Sequence, residues 1–420
     1  MKILVLNSGS SSVKFQVIET DLERMNAHQD ETLATGQVEK IGLSDSRLVL
    51  EVPGRSTCQD YREILEHRAA IDWVLRALTD SDHGVLGTVD EVDAVGHRVV
   101  HGGEQFASSV LMTPEVVEQI EQCTVLAPLH NPANLRGYYA AHNVLPHVPH
   151  VAVFDTAYHQ TMPAHAFLYG IPFQFYTRHH LRRYGFHGTS HRFVSFRASQ
   201  ILGWQRDESR YITCHLGNGC SVAAIDHGRS IDTSMGFTPL EGLLMGTRCG
   251  DMDPAIVPWL MAMEELTLHQ INTMLNKHSG LYGVSGVSSD MRELLRARSE
   301  GNVRADAAFR MFCYRITKYI GAYAAAMGGV DAIIFTGGIG ENSPEVRERS
   351  LETLGIMGIH LDRERNAALL GGEGEITTDG SPVKALVIPT NEEKVIARDV
   401  VRVLNGIMPT FDPPETLGSS

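Results

Sequence analysis

One pattern occurs twice in this chain: an apolar strand, a turn of small residues, and a return strand. Residues 6–13 read L-N-S-G-S-S-S-V and residues 216–222 read L-G-N-G-C-S-V, a difference mainly of one residue in length. Around the first copy, residues 2–6 form an apolar strand and residues 7–12 a polar turn. Val13, Phe15 and Val17 then alternate on one face of the return strand. Around the second, residues 211–216 are strand-like, residues 217–221 turn, and residues 222–225 return. An internal duplication accounts for both, so the chain is expected to build two related α/β halves. A length of 420 residues agrees with two to three domains.

Further strands and helices follow each copy. Residues 151–154 form a strand that ends at Asp155, and residues 332–335 form another that ends in a glycine turn, Thr336-Gly337-Gly338-Ile339-Gly340. Beyond that turn Ser343 is placed to cap a helix whose first position is Pro344, with Glu345 in its first turn. Residues 383–388 are strand-like and residues 392–404 helical, with Ile396, Val400 and Leu404 four apart on one buried stripe. The expected domains are residues 1–155 completed by 391–420, and residues 156–390. The stretch from Met408 is Pro-rich and aperiodic, and is read as frayed.

Charge and cysteine usage exclude several classes. Fifty acidic residues against 36 basic ones leave a net charge of −14, the wrong sign for a nucleic-acid scaffold. No apolar run approaches the roughly 18 residues a membrane helix needs, and the apolar part of the N-terminus is too short for a secretory signal. The six cysteines form no C-x-x-C pair and the 20 histidines no H-E-x-x-H motif, so no zinc or dithiol site is written here. These features read as a reduced, cytoplasmic protein with no nucleic-acid or membrane partner.

The small-residue turns have a chemical use. Gly and Ser leave backbone N–H groups bare, and a concave string of amides binds anions. Residues 7–14 (NSGSSSVK) add hydroxyls and the ammonium of Lys14, without the G-x-x-x-x-G-K-S/T spacing of a Walker loop. One such turn alone is more often a solvated hairpin; two in duplicated positions favour a nucleotide touched by both halves. Residues 336–342 (TGGIGEN), between a strand and a capped helix, form a third candidate phosphate loop, balanced evenly against an ordinary tight turn.

Four more segments carry reactive side chains among glycines or at a strand end. Residues 96–103 hold Arg98, residues 184–191 hold His187, residues 245–254 hold Arg248, and Asp155 stands where a strand stops. Singly, each has a structural explanation in a salt bridge or a satisfied histidine. Together with three phosphate loops they list the parts of phosphoryl transfer: cations for the moving group's oxygens, a carboxylate for a metal, and a donor.

The segments NSGSSSVKF, GHRVVHGG, HNPAN, FDTAYHQTMP, YGFHGTSH, HLGNG, MGTRCGDMDP, FTGGIGEN and PTNEE, in that order from Asn7 to about Leu404, resemble the signatures of the acetate kinase family. The resemblance implies two duplicated actin-like (ribonuclease H-like) α/β domains with a nucleotide cleft between them, and a homodimer. It implies ATP/ADP and Mg2+, or Mn2+ in its place, as cofactors, with acetate and acetyl phosphate as the other substrates. Matched by position, His215, Leu216, Gly217, Asn218, Gly219, Asp290, Met291 and Arg292 would border the nucleotide. Gly338, Ile339, Gly340, Glu341 and Asn342 would hold its adenosine end and α-phosphate, and Lys14 would approach the phosphates. Asn7 and Glu392 match the metal site. Arg98 and Arg248 would grip the acetate carboxylate and the migrating phosphoryl group, with His187 donating to the same oxygens. Asp155 matches the catalytic aspartate, and Val100, Leu129, Phe186 and Pro239 the pocket for the acetate methyl.

A carboxylic acid with a pKa of roughly 4–5 is already ionised at neutral pH, so the acceptor has no proton for a base to remove. Organising Mg2+ and the phosphates therefore suits Asp155 better than proton abstraction. Two alternatives stay open: a propionate or short-chain acyl kinase of the same fold, and a non-catalytic nucleotide switch of the heat-shock chaperone or actin type. The second has no use for Arg98, His187 and Arg248 together.

Overall fold

The computed structural model describes residues 1–128 and 130–408. Leu129 and the Pro-rich stretch beyond Met408 therefore lie outside the described residues. The chain divides into two compact units, Met1–Tyr158 joined by the segment from Asn391, and His159–Thr390.

The first unit is built on one sheet of eight strands: β1 (Lys2–Ser8), β2 (Val13–Glu19), β3 (Glu31–Glu39), β4 (Leu43–Glu51), β5 (Cys58–Ile64), β6 (Ala94–Val99), β7 (Val110–Leu111) and β8 (His150–Phe154). Their order across the sheet is β5-β4-β3-β2-β1-β6-β8-β7. The first hairpin is tighter than the sequence reading: Asn7 pairs with Lys14 and Ser8 with Val13, so the turn is residues 9–12 only. Lys14 accordingly sits one residue inside β2 rather than in a loop.

Alternation in β1 sends its side chains to two cores. Leu4 and Leu6 pack with Phe15, Ile71, Val74 and Ala140 on one face. Ile3 and Val5 pack with Val151, Val153, Ile396, Ala397, Val400 and Val401 on the other. The helix Glu392–Leu404 has the bounds its periodicity predicts, and Leu404 packs partly buried at the edge of that second core. Close packing there depends on Gly96, where a Cβ would fall 2.6 Å from Ile396 Cγ2 and 3.0 Å from Val400 Cγ2. Arg398 on the same helix pairs with buried Asp30.

The second unit holds a six-stranded sheet: β9 (Arg210–Leu216), β10 (Cys220–Asp226), β11 (Arg229–Thr233), β12 (Ala332–Thr336), β13 (Gly374–Glu375) and β14 (Lys384–Val387). The order is β11-β10-β9-β12-β14-β13. Its run β11-β10-β9-β12-β14 repeats, position for position, the run β3-β2-β1-β6-β8 of the first sheet. In both runs two antiparallel pairings precede two parallel ones. The paired hairpins seen in the sequence are thus the opening strands of two sheets with one topology. Here too the turn is shorter than expected, residues 217–219, because Cys220 pairs with Leu216 and Ser221 with His215.

Candidate active site

In the first unit four elements converge on Arg98. It is the next-to-last residue of β6, which pairs on one side with β1 and on the other with β8. Register sets Val99 beside Phe154, so Arg98 meets Asp155 just past the end of β8. Arg98 Nε donates to Asp155 Oδ1 at 3.0 Å and Nη2 to Oδ2 at 2.5 Å, a two-pronged fork. Nη1 donates to Asn7 Oδ1 on β1 at 3.3 Å, and Nε lies 3.7 Å from Glu392 Oε2 at the start of the C-terminal helix. Burial pushes the Asp155 carboxyl up to about 6; Arg98 opposes the shift and Glu392 adds to it. With both oxygens held by a guanidinium, Asp155 is an anion at neutral pH. Burial works against the charge on Arg98, but Asp155 and Glu392 hold its pKa above the ordinary value. Asn7, Arg98, Asp155 and Glu392 therefore form one cluster. Lys14 is exposed on β2, opposite Asn7. Val100 is buried and donates its N–H to Asn134 Oδ1 at 3.0 Å.

In the second unit the chemistry gathers around the tip of the second hairpin. His187 has left-handed backbone (φ 56°) and begins the helix Gly188–Leu202. Its Nδ1 lies 2.9 Å from Ser221 Oγ, and its ring stacks on His215 with centroids 4.1 Å apart. Arg248 is half-buried; Nη1 donates to the Pro239 carbonyl at 3.2 Å and approaches Met245 Sδ at 3.7 Å. Among the described residues it makes no salt bridge, and burial pulls its pKa below the usual guanidinium value. Gly219 lies between these donors: a Cβ there would sit 3.3 Å from Arg248 Nη1 and 3.8 Å from His187 Nε2. Any larger residue would fill the space both side chains face. Phe186, buried, precedes His187, and its carbonyl accepts from His159 Nε2 at 3.0 Å. Phe186 and Pro239 thus stand beside His187 and Arg248.

A cavity of about 660 Å³ opens in the same unit, lined by Gly217, Asn218, Ser289, Asp290, Met291, Arg292, Leu295, Gly338, Ile339, Asn342 and Ser343. Eight of the thirteen residues predicted to border a nucleotide are in that wall. Asp290 caps the helix Met291–Ser299 by accepting from the Arg292 N–H at 2.8 Å, and Arg292 Nη2 returns to Asp290 Oδ2 at 2.6 Å.

The other five stand elsewhere. Leu216 and Gly340 are buried behind the wall. Glu341 Oε1 is occupied by the N–H groups of Gly337 (2.8 Å) and Thr390 (3.2 Å). His215 Nδ1 lies 2.8 Å from Ser190 Oγ, which places it with His187, and Gly219 faces Arg248 and His187.

The glycine turn after β12 is a correction. Gly337–Asn342 is itself a short helix, entered at Gly337 with φ 76°, where a Cβ would lie 2.8 Å from the Leu216 carbonyl oxygen. Ser343 precedes the helix Pro344–Leu351 without capping it; its hydroxyl bonds Glu345 Oε2 at 3.3 Å. The short helix is held from below by Arg347, fully buried, which donates to the carbonyls of Gly340 (2.9 Å), Glu341 (3.0 Å) and Leu369 (2.8 Å) and to Asn366 Oδ1 (2.7 Å). Burial draws the Arg347 guanidinium down to about 10.

Sequence reasoning missed Arg347, which looks like part of a surface charge run. It also missed Ser190, His191 and Ser221. His191 had a signal: it lies four residues after His187, one helical turn on.

The family model described as the acetokinase family matches residues 2–398. The acetate kinase of Caldanaerobacter subterraneus subsp. tengcongensis is 53% identical over 408 residues, 97% of this chain and 100% of that protein. A crystal structure of Porphyromonas gingivalis acetate kinase superposes with a TM-score of 0.92 at 49% identity, covering 96% of this chain and 99% of that one. A Francisella tularensis propionate kinase gives 0.86 at 40% identity, covering 95% and 98%. The two sheets of one topology are those of the actin-like acetate and sugar kinase fold, and the chain belongs to the acetokinase family.

Proposed function

We propose that this kinase transfers the γ-phosphoryl group of ATP reversibly to acetate, giving acetyl phosphate and ADP by direct in-line attack. The observation that carries this reading is Arg248: a half-buried guanidinium with no carboxylate partner among the described residues, sharing the space over Gly219 with His187. A buried cation left without an anion is costly, and a bound anion relieves the cost. The adjoining cavity has the size and the glycine-rich wall for a nucleotide.

The main barrier to the reaction is repulsion between a carboxylate and a polyphosphate. Arg248 and Arg98 lower it by placing positive charge against the moving group, and His187 adds a hydrogen-bond donor. Asn7, Glu392 and Asp155 offer only hard oxygen donors, a set that fits Mg2+ and would accept Mn2+. These three residues would hold the ion, whose chemistry is to neutralise phosphate charge. Asp155 is not assigned as a base, since acetate arrives ionised. Lys14, exposed on β2, would meet the phosphates. Val100, Phe186 and Pro239, with Leu129, are assigned to the methyl group.

No described helix is long and apolar enough to cross a membrane; the six free cysteines support a reducing, cytoplasmic setting. Ile256, Trp259 and Met263 on the helix Ile256–Met263 are exposed, an apolar face that supports assembly with a second copy of the chain.

The likeness to a propionate kinase keeps a second acceptor in view, since one methylene changes discrimination by only ~1–3 kcal/mol. Hydroxylamine trapping during ATP consumption tests both. Acetate is expected to give acetohydroxamate with the highest kcat/KM, propionate a lower value and butyrate a lower one still. A higher value for propionate would reassign the acceptor. Nucleotide binding with no hydroxamate from any acid would favour the switch-protein reading.

A further inference from the structure

Behind His187 lies a buried chain of side chains that the transfer reaction does not itself touch. Thr213 Oγ1 on β9 is 2.7 Å from His191 Nδ1; His191 Nε2 is 2.7 Å from Ser221 Oγ on β10; and Ser221 Oγ is 2.9 Å from His187 Nδ1. Thr213, His191 and Ser221 are all fully buried. Burial, with His159 and His215 nearby, holds the His191 pKa well below its ordinary value, so its ring is neutral and carries one N–H.

Two directions of donation fit these distances, and proton satisfaction separates them. If His187 Nδ1 donated to Ser221, then Ser221 would either accept from both rings and keep its own proton in the core without an acceptor among the described residues, or donate to His191 Nε2 with His191 Nδ1 donating to Thr213. In the latter case the Thr213 hydroxyl proton would be left in the core without an acceptor, since that oxygen has no other partner among the described residues. In the opposite direction Thr213 donates to His191 Nδ1, His191 Nε2–H to Ser221, and Ser221 to His187 Nδ1. Every proton of the three buried links then has an acceptor, and buried polar groups in native proteins are paired. The chain ends with the His187 proton on Nε2, the atom that shares the space over Gly219 with Arg248.

We propose that Thr213, His191 and Ser221 are positioning residues, a one-way hydrogen-bond chain that holds His187 as its Nε2–H tautomer, aimed at the transferring group. The proposal rests on the phosphoryl-transfer reading for its purpose, but its geometry is testable without substrate.

The test is the imidazole nitrogen spectrum of the full-length protein labelled with 15N-histidine, with the His187 signals assigned by their loss in His187→Asn. In the parent protein Nε2 is expected to be protonated and Nδ1 bare. Thr213→Val, which keeps the shape and removes the hydroxyl, is expected to mix the two tautomers. It should lower kcat about tenfold, as one hydrogen bond of about 1.4 kcal/mol would, with KM for acetate and ATP unchanged. Thr213→Ser restores both. Ser221→Ala, which cuts the chain at its last link, is expected to do at least as much and serves if the valine variant does not fold. A proton on Nδ1 in the parent, or valine and alanine variants with parental tautomer and kcat, would overturn the proposal. The spectrum is read on ligand-free protein, so failure there leaves the transfer reading standing. A parent that makes no acyl phosphate would overturn that reading and leave the tautomer result intact.

Discussion

Arg248→Ala is expected to lower turnover at saturating ATP and acetate by at least about 10³-fold, the scale on which an arginine aimed at transition-state charge acts in phosphoryl transfer. The fold should survive, because among the described residues the guanidinium bonds only the Pro239 carbonyl and lies near Met245 Sδ, and no carboxylate loses its partner. Arg248→Lys keeps a charge but loses the planar fork, and should recover only part of the rate. Steady-state kcat with a circular dichroism spectrum checks both points. Near-parental turnover of the alanine variant would remove Arg248 from the site.

The second large effect is expected at Asp155. Asp155→Asn keeps the shape but replaces one carboxylate oxygen by an amide nitrogen that cannot accept from Arg98. The fork of 3.0 and 2.5 Å is then cut to a single bond onto the remaining amide oxygen, and Arg98 leans more on Asn7 and on Glu392 at 3.7 Å. Misplacing a catalytic group by about 1 Å costs ~10²-fold, and that is the minimum loss expected here. Lost negative charge beside Asn7 and Glu392 also weakens the proposed metal site, so raising Mg2+ should restore part of the activity. A titration of kcat against Mg2+ reads this directly. A loss that no Mg2+ concentration relieves would assign Asp155 to holding Arg98 alone.

The features legible in the sequence were those written locally. Small residues between alternating apolar ones gave both hairpins their place, and the four-residue spacing of Ile396, Val400 and Leu404 marked the last helix with its correct bounds. What tertiary contacts decide was not legible. Gly337–Asn342 has three glycines in six residues, a poor helix by propensity, and is helical because Glu341 satisfies its first N–H while buried Arg347 binds its last carbonyls. The sequence showed Arg98 as a charge among glycines with no element assigned; parallel neighbours on both sides make it part of a strand. The Arg98–Asp155 fork joins residues 57 apart in the chain, and only the β6–β8 register sets them side by side.

The central claim is that these side chains neutralise and align, and that none of them takes the phosphoryl group itself. The configuration of phosphorus decides it. With ATP made chiral at the γ-phosphorus by oxygen isotopes, a single displacement by the acetate oxygen predicts acetyl phosphate of inverted configuration. Retention would show that the group passes through the protein on a side chain such as Glu392, Asp155 or His187, and would contradict the account.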